Sequence, residues 1–407
     1  MFVETFFKAA NKLENPEYPL LGPNIKGLYF FGIWLQGSKF HKYAYCLIHM
    51  FSGLFVISEF IDLYQMRTDM MKVLLNISIT GFGLIAFTKT VAFITFQVKW
   101  TKIAKTISEE EMSELEKKDP NTIKIMAEYK KYSRTITYMY WLLVLMTIIA
   151  TITSPTLRYI SSSEYRQEII NGTESRPFIL SSWFPFDKNK MPGYAIATMV
   201  HIYITFQGAG VVATFDTNAV AIMTFLKGQA TILKCKCRRL FGEQQPISNK
   251  DVLIRIKECH RLHNLIYTMF NAVLSPVMFM YVLVCSITMC CGVVQLTSKE
   301  VQMFQKMWVV EFVSTQLFQL FMYCWHSNEI GLETDAVSRS IFESIYWRSD
   351  LQERKLLLLL AGKMGRSYLL EAGPFTNLSI PTFIDVNMSC LRSYSYTTTP
   401  EAGCRLM

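Results

Sequence analysis

Charge is scarce in this sequence. Asp, Glu, Lys and Arg make up 18% of its 407 residues, fewer than the roughly 25% of a soluble domain. The charge that exists separates apolar blocks of about twenty residues or more, the length a helix needs to cross about 30 Å of hydrocarbon. Catalytic signatures are absent as well. There is no phosphate-binding glycine loop and no hydrolase or kinase motif, which argues against an enzyme and implies no cofactor. Neither a solenoid-period repeat nor a low-complexity tract interrupts the chain. The opening "MFVETFFKAANKLENPEYP" has no long apolar core and no small-residue cleavage site, so the first span is expected to act as its own insertion signal. The long loop between the third and fourth blocks holds none of the ten cysteines. Cys285, Cys290, Cys291 and Cys324 lie within or beside blocks, and reduced, buried thiols are expected.

What is present is the pattern of an all-α polytopic membrane protein. Seven spans are expected, at 43–63, 73–98, 136–158, 192–226, 265–296, 303–326 and 373–397. The fourth and fifth exceed what a bilayer requires and should project beyond it. Lys and Arg gather in 1–42, 99–135, 227–264 and 327–355 and are sparse in the alternate loops. By the positive-inside rule the N-terminus is cytosolic and the C-terminus extracellular. The net charge of +9 therefore reports topology, and no nucleic-acid partner is expected. The sequon Asn171-Gly172-Thr173 falls in an outer loop, making Asn171 a glycosylation candidate. The chain divides into a cytosolic segment 1–42, six helices over 43–326, a cytosolic helical anchor over 327–372, and a final helix with its tail over 373–407. A G-protein-coupled receptor has the opposite orientation. Its acidic-Arg-aromatic motif after the third span and its Asn-Pro-x-x-Tyr motif are also missing. A secondary transporter should show inverted repeats and paired broken helices, and neither is visible.

The last span, "SIPTFIDVNMSCLRSYSY", is unusually polar for a segment that must face lipid. On a helix, Asp385, Ser389 and Arg392 share one face, which Tyr396 and Thr399 extend. Polar residues inside a membrane turn toward protein or water. The stripe therefore either bonds neighbouring helices or, repeated around a symmetry axis, lines a pore.

"GPFTNLSIPTFIDVNMSCLRSYSY" resembles the C-terminal signature of insect odorant receptors. "RPFILSSWFPFDKNKMPGYAIA" resembles the same family's outer loop and fourth span, through Pro177, Phe178, Trp183 to Asp187, Pro192 and Tyr194. "KECHRLHNLIYTMFNAVLSP" resembles its His-bearing approach to the fifth span. The resemblance implies a ligand-gated, non-selective cation channel opened by small volatile ligands. A subunit of this kind sits in the plasma membrane of a sensory dendrite, in contact with lipid. It forms a heterotetramer with a shared odorant co-receptor, and the final helix of each subunit lines the pore. The chain lacks the extra-long cytosolic insertion of a co-receptor and should be a tuning subunit. After Tyr396 it departs from the family's apolar ending with "TTTPEAGCRLM", where Pro400 limits the helix. A gate would then come mainly from the co-receptor, or the ring would be wetter. A gustatory receptor, the nearest relative class, closes on a Gln-Phe motif that is absent here.

The resemblance also implies a ligand pocket in the outer half, between the second, third, fourth and sixth spans. Read by orientation, this selects Ile79, Phe82 and Gly83; Ile148, Thr151 and Ile152; Tyr194, Thr198 and His201; and Phe304, Trp308 and Phe312. Gly83 leaves room beside Phe82, and Thr151, Thr198 or His201 can bond a ligand oxygen. Cys235, Cys237, Cys259, His260 and His263 crowd one loop, but Cys-x-Cys and His-x-x-His fit zinc spacing poorly, so no metal is expected. Lys89 lies mid-span and needs a protein partner. Glu311 is expected to border the ligand pocket, and Asp216 to sit near water at the inner part of a long helix.

Overall fold

The computed structural model describes residues 13–171, 176–242, 248–268, 270–298, 303–365, 368–374 and 376–398. Among the described residues the helices run from a short α1 (Gly22–Phe30) through α2 (Lys39–Gln65), α3 (Met70–Thr95), α4 (Gln97–Glu116) and α5 (Pro120–Ser161) to α6 (Ser163–Ile170). The remaining helices are α7 (Gly193–Arg238), α8 (Asn249–Thr268), α9 (Asn271–Thr297), α10 (Met303–Phe342), α11 (Leu351–Met364) and α12 (Ile380–Thr398). Side-chain caps begin several of them. Ser38 accepts from the backbone of His41 at α2, and Asp69 accepts from Lys72 at α3.

Four helices, α2, α3, α5 and α7, and the α8–α9 run are long and apolar enough to cross a membrane. At 1.5 Å per residue, α7 is about 70 Å long, well past a bilayer's thickness. It forms the central post. Residues 209–226 of α7 are buried on every side, and α5 and α10 pack along it. Such a stretch suits its composition of Ala, Val, Thr and Gly, which lets neighbouring backbones approach.

Each expected span coincides with a helix, but two begin later than the hydropathy implies. The run 265–296 is broken, because α8 ends at Thr268 and α9 starts at Asn271. The side-chain oxygen of Asn271 accepts from the backbone of Glu371 at 2.9 Å. The run 373–397 shortens to α12 because residues 371–377 form a small antiparallel hairpin, β1 (Glu371–Ala372) and β2 (Thr376–Asn377). Gly373 turns this hairpin at φ +69°, a left-handed conformation that glycine adopts without penalty. Its N–H donates to Ser275 Oγ of α9 at 3.0 Å, and the N–H of Leu370 donates to Ser327 Oγ of α10 at 3.3 Å. Ser379 then caps α12 through the Thr382 amide.

The first helix belongs to the core, a role the sequence did not reveal. Leu20, Leu21, Leu28, Ile33 and Trp34 are buried, and α1 lies against α7. Arg134 of α5 fixes the segment by donating to Glu14 and to the Pro19 carbonyl at 2.7 Å.

One end of the bundle is laced with ion pairs. Lys117 reaches Glu114 and Glu258 at 2.9 and 2.7 Å, and Lys236 of α7 reaches the same two at 2.8 and 3.0 Å. Burial raises the Glu258 carboxyl, but the hydrogen bonds and charges of Lys117 and Lys236 outweigh it and hold the pKa at about 2. A carboxylate depressed in the folded state stabilises above its ordinary range and stops doing so as it protonates. The melting temperature of the purified protein should therefore fall as pH drops from about 4.5 towards 2. In Glu258→Gln that acid-dependent loss should be visibly shallower; an unchanged pH profile would count against this cluster.

The deepest charges lie elsewhere. Lys89 of α3 and Asp216 of α7 form a salt bridge with 1% and 0% of their side chains exposed. Asp216 is thus packed away from water, and it also accepts from Tyr140 of α5 at 3.0 Å and from Tyr323 of α10 at 2.6 Å. Gln319 of α10 donates to it as well. Lys89 lies 5.1 Å from the Tyr281 ring centroid on α9. Removing one partner of such a pair costs about 3–5 kcal/mol, because the other charge stays buried and uncompensated. Lys89→Met should lower thermal stability and surface expression sharply, while the double variant Lys89→Met/Asp216→Asn should recover part of the loss. A single variant as stable as the parent would remove the pair from this role.

Candidate functional site

A cavity of about 120 Å³ opens between α2, α3, α5, α7 and α10. An apolar cavity of about 150 Å³ is enough for a benzene-sized molecule. Of the expected pocket residues, Ile79, Phe82 and Gly83 of α3, Ile148 and Thr151 of α5, and Trp308 and Phe312 of α10 line it. Trp308 and Phe312 stack with centroids 5.4 Å apart. One helical turn separates them, so their flat faces form a continuous wall. Gly83 packs against the first span: a Cβ there would stand 2.8 Å from Glu59 Oε2.

The structure places Tyr194, Thr198, His201 and Ile152 elsewhere. Tyr194 donates to the Pro177 carbonyl at 3.1 Å, and Thr198 donates to the Tyr194 carbonyl at 2.9 Å. His201 Nε2 meets Ser182 Oγ at 2.7 Å. Tyr194 and His201 brace the loop 177–192, Thr198 bonds within its own helix, and none of the three lines the cavity. Ile152 packs with the cluster around Tyr140, Val144 and Ile148. Phe304 stands at the start of α10, and Glu311 is half-buried and outside the cavity wall.

The sequence reading assigned the first span no role in the pocket, yet His49, Phe55, Val56 and Glu59 of α2 form one wall. The signal was present: "HMFSGLFVISEFIDLYQ" carries Glu59 and Asp62 inside an otherwise apolar run. His49 Nε2 lies 3.1 Å from the Gly32 carbonyl, so the imidazole is tied to the α1–α2 connection. The cavity floor is polar. Gln316 and Gln319 of α10 reach it, and Gln319 is the same residue that donates to Asp216. Gln316 Oε1 accepts from Thr288 of α9 at 3.0 Å, and Tyr281 donates to the Gln316 carbonyl at 3.4 Å. The floor is therefore continuous with the buried Lys89–Asp216 network.

Below the floor, α10 meets α12. Phe321 and Phe383 pack edge to face at 5.6 Å, and Val386 lies against the main core. On the opposite face of α12, Asp385, Ser389 and Arg392 are exposed, together with Ile384 and Met388. Ser389 Oγ donates to the Asp385 carbonyl at 2.8 Å, which keeps that hydroxyl within the helix. Tyr396 falls on the last turn of α12, and Thr399 lies outside the described residues. Asn171 is exposed at the C-terminal end of α6.

Comparison with known proteins agrees with this architecture. The family model described as 7tm Odorant receptor matches residues 69–390. Odorant receptor 46a, isoform B, of Drosophila melanogaster is 24% identical over 196 residues, covering 45% of this chain and 49% of that protein. Odorant receptor Or2 of Anopheles gambiae is 22% identical over 215 residues, covering 51% and 56%. The chain thus spans about half the length of the curated relatives it matches. The insect olfactory receptor OR5 from Machilis hrabei, solved in complex with eugenol, superposes with a TM-score of 0.74 at 13% identity. That alignment covers 94% of this chain and 98% of that one. The same receptor without eugenol gives a TM-score of 0.70. At these identities the likeness establishes the fold. The family match covers most of the chain, from α3 into α12, and the chain belongs to the odorant receptor family, as a multi-pass helical membrane protein.

Proposed function

We propose that this chain is the odorant-binding subunit of a ligand-gated, non-selective cation channel. It assembles with co-receptor subunits as a heterotetramer in the plasma membrane, with its N-terminus cytosolic. The cavity between α2, α3, α5, α7 and α10 takes the volatile ligand, with Ile79, Phe82, Gly83, Ile148, Thr151, Trp308 and Phe312 in its wall. The polar face of α12, carrying Asp385, Ser389 and Arg392 and continued by Tyr396 and Thr399, borders the shared pore.

One observation carries this reading: α10 is common to both places. Its upper turns present Trp308, Phe312, Gln316 and Gln319 to the cavity, and Phe321, less than one turn further, rests on Phe383 of α12. A ligand that wedges against the Trp308–Phe312 wall displaces the element that supports α12. The exposed Asp385 and Arg392 of α12 support the second half of the reading. Asp and Arg exposed on a membrane helix are costly against lipid and are accommodated beside water. Several copies around an axis supply that water and leave no polar face toward hydrocarbon.

Whole-cell recording from cells expressing the chain with and without a co-receptor tests the reading. Volatile-evoked cation current is expected with the partner and little without it. A labelled solute accumulating across the membrane in the absence of any current would favour a transporter instead. Asp385→Asn should lower the permeability of divalent relative to monovalent cations by at least about twofold, because one carboxylate per copy leaves the ring. Identical reversal potentials for parent and variant would take Asp385 out of the conduction path.

A further inference from the structure

We propose that the cavity selects small, mostly apolar amines, with the carboxyl of Glu59 as the anchor for the ammonium group. The inference rests on the ligand-binding reading of this cavity and adds the chemical class of what enters it.

Glu59 lies on α2 with 2% of its surface exposed, and it forms part of the cavity wall. Its Oε2 has no hydrogen-bond partner among the described residues. A buried carboxyl in that condition is uncommon, because an unmet acceptor retains its full dehydration cost. The surroundings do not provide the missing partner. Asp62, one turn further along α2, is a second acid, and the nearby cation is engaged with it: Lys188 Nζ stands 3.5 Å from Asp62 Oδ1 and donates to the Ser182 carbonyl at 2.7 Å. His49 is tied to Gly32, and His201 to Ser182. The group therefore combines two acids with one lysine, and the acid left over is the one on the cavity wall.

Gly83 keeps the space beside that carboxyl open. Any larger residue would place its Cβ 2.8 Å from Glu59 Oε2 and push the carboxyl aside. Most of the remaining wall is apolar and aromatic, with Phe55, Phe82, Trp308 and Phe312 around it. A ligand that fills the space with hydrocarbon and ends in an ammonium answers both features. An ammonium beside it supplies the countercharge that holds the carboxyl ionised, and its N–H groups reach an acceptor that no described residue meets. Glu59 has already lost its water on folding, so the ligand brings only its own dehydration to the pairing. Trp308 and Phe312 add their negative ring faces to a cation that approaches them.

The test uses three compounds on one skeleton, benzylamine, benzyl alcohol and toluene, with the full-length receptor purified together with its co-receptor. Ligand-induced shifts in melting temperature report binding, and whole-cell currents from the same panel report gating. In the parent, benzylamine should bind at least about tenfold more tightly than toluene, the increment of one charge-assisted hydrogen bond. Glu59→Gln keeps the size and removes the charge, and it should abolish that advantage while toluene still binds. Glu59→Asp draws the acid back by one methylene and should keep part of it. The melting temperatures without ligand show whether each variant is folded. Equal shifts from benzylamine and toluene in the parent would overturn the proposal, as would an undiminished benzylamine shift in Glu59→Gln. Amine-selective stabilisation without amine-evoked current would support the Glu59 anchor and count against the channel reading.

Discussion

The Lys89–Asp216 pair is the constraint on which the bundle depends. Its charges sit among Tyr140, Tyr281, Gln319 and Tyr323, so one buried node holds α3, α5, α7, α9 and α10. Hydrocarbon-like surroundings give helices little hydrophobic reason to choose one partner over another. An ion pair with several donors to one carboxylate does impose a choice, since any shift in register leaves a charge without its partner. The apolar contacts along α7 then need only fit the arrangement that the node dictates.

The cavity owes its position to that node. Gln319 belongs to both, donating to Asp216 while standing at the cavity floor. The space above the floor is thus bounded by a rigid polar layer beneath and by aromatic side chains around it. Trp308 lies near the start of α10, about three to four turns before Gln319 and Tyr323, where the node grips the same helix. The aromatic cavity wall lies before that grip and the α12 contact at Phe321 lies within it, so one helix borders both.

Much of this was legible in the sequence, and the failures have physical reasons. Each apolar block coincided with a helix, because a membrane imposes length and hydropathy directly, whereas α4 and α8 lie almost wholly outside the blocks. Their ends were less secure. Hydropathy does not register the hairpin turned by Gly373 or the break before Asn271, both of which depend on hydrogen bonds between distant segments. Lys89 was expected to need a protein partner, but Asp216, lying 127 residues away, was expected near water. Hydropathy cannot pair two charges across helices. The cavity was legible on α3, α5 and α10, where aromatic and small residues share a face. It was missed on α2, where the acidic Glu59 disguised a wall residue, and it was overextended on α7. There Tyr194 and His201 hold the overlying loop, and Thr198 bonds back into its own helix. The core role of α1 had no signal at all, since its burial comes from docking against α7 and not from its own hydropathy.

The small hairpin before α12 has a mechanical consequence. Its backbone is bonded to Asn271 and Ser275 on one neighbour and to Ser327 on another. The root of α12 is therefore clamped at two points, while Asp385, Ser389 and Arg392 on its outward face are exposed. A rod fixed in this way cannot slide along its axis or rotate freely about it. It can only lean, pivoting where Gly373 bends. The far tip sweeps the widest arc, so a slight sideways push near Phe383 becomes a larger excursion at Tyr396.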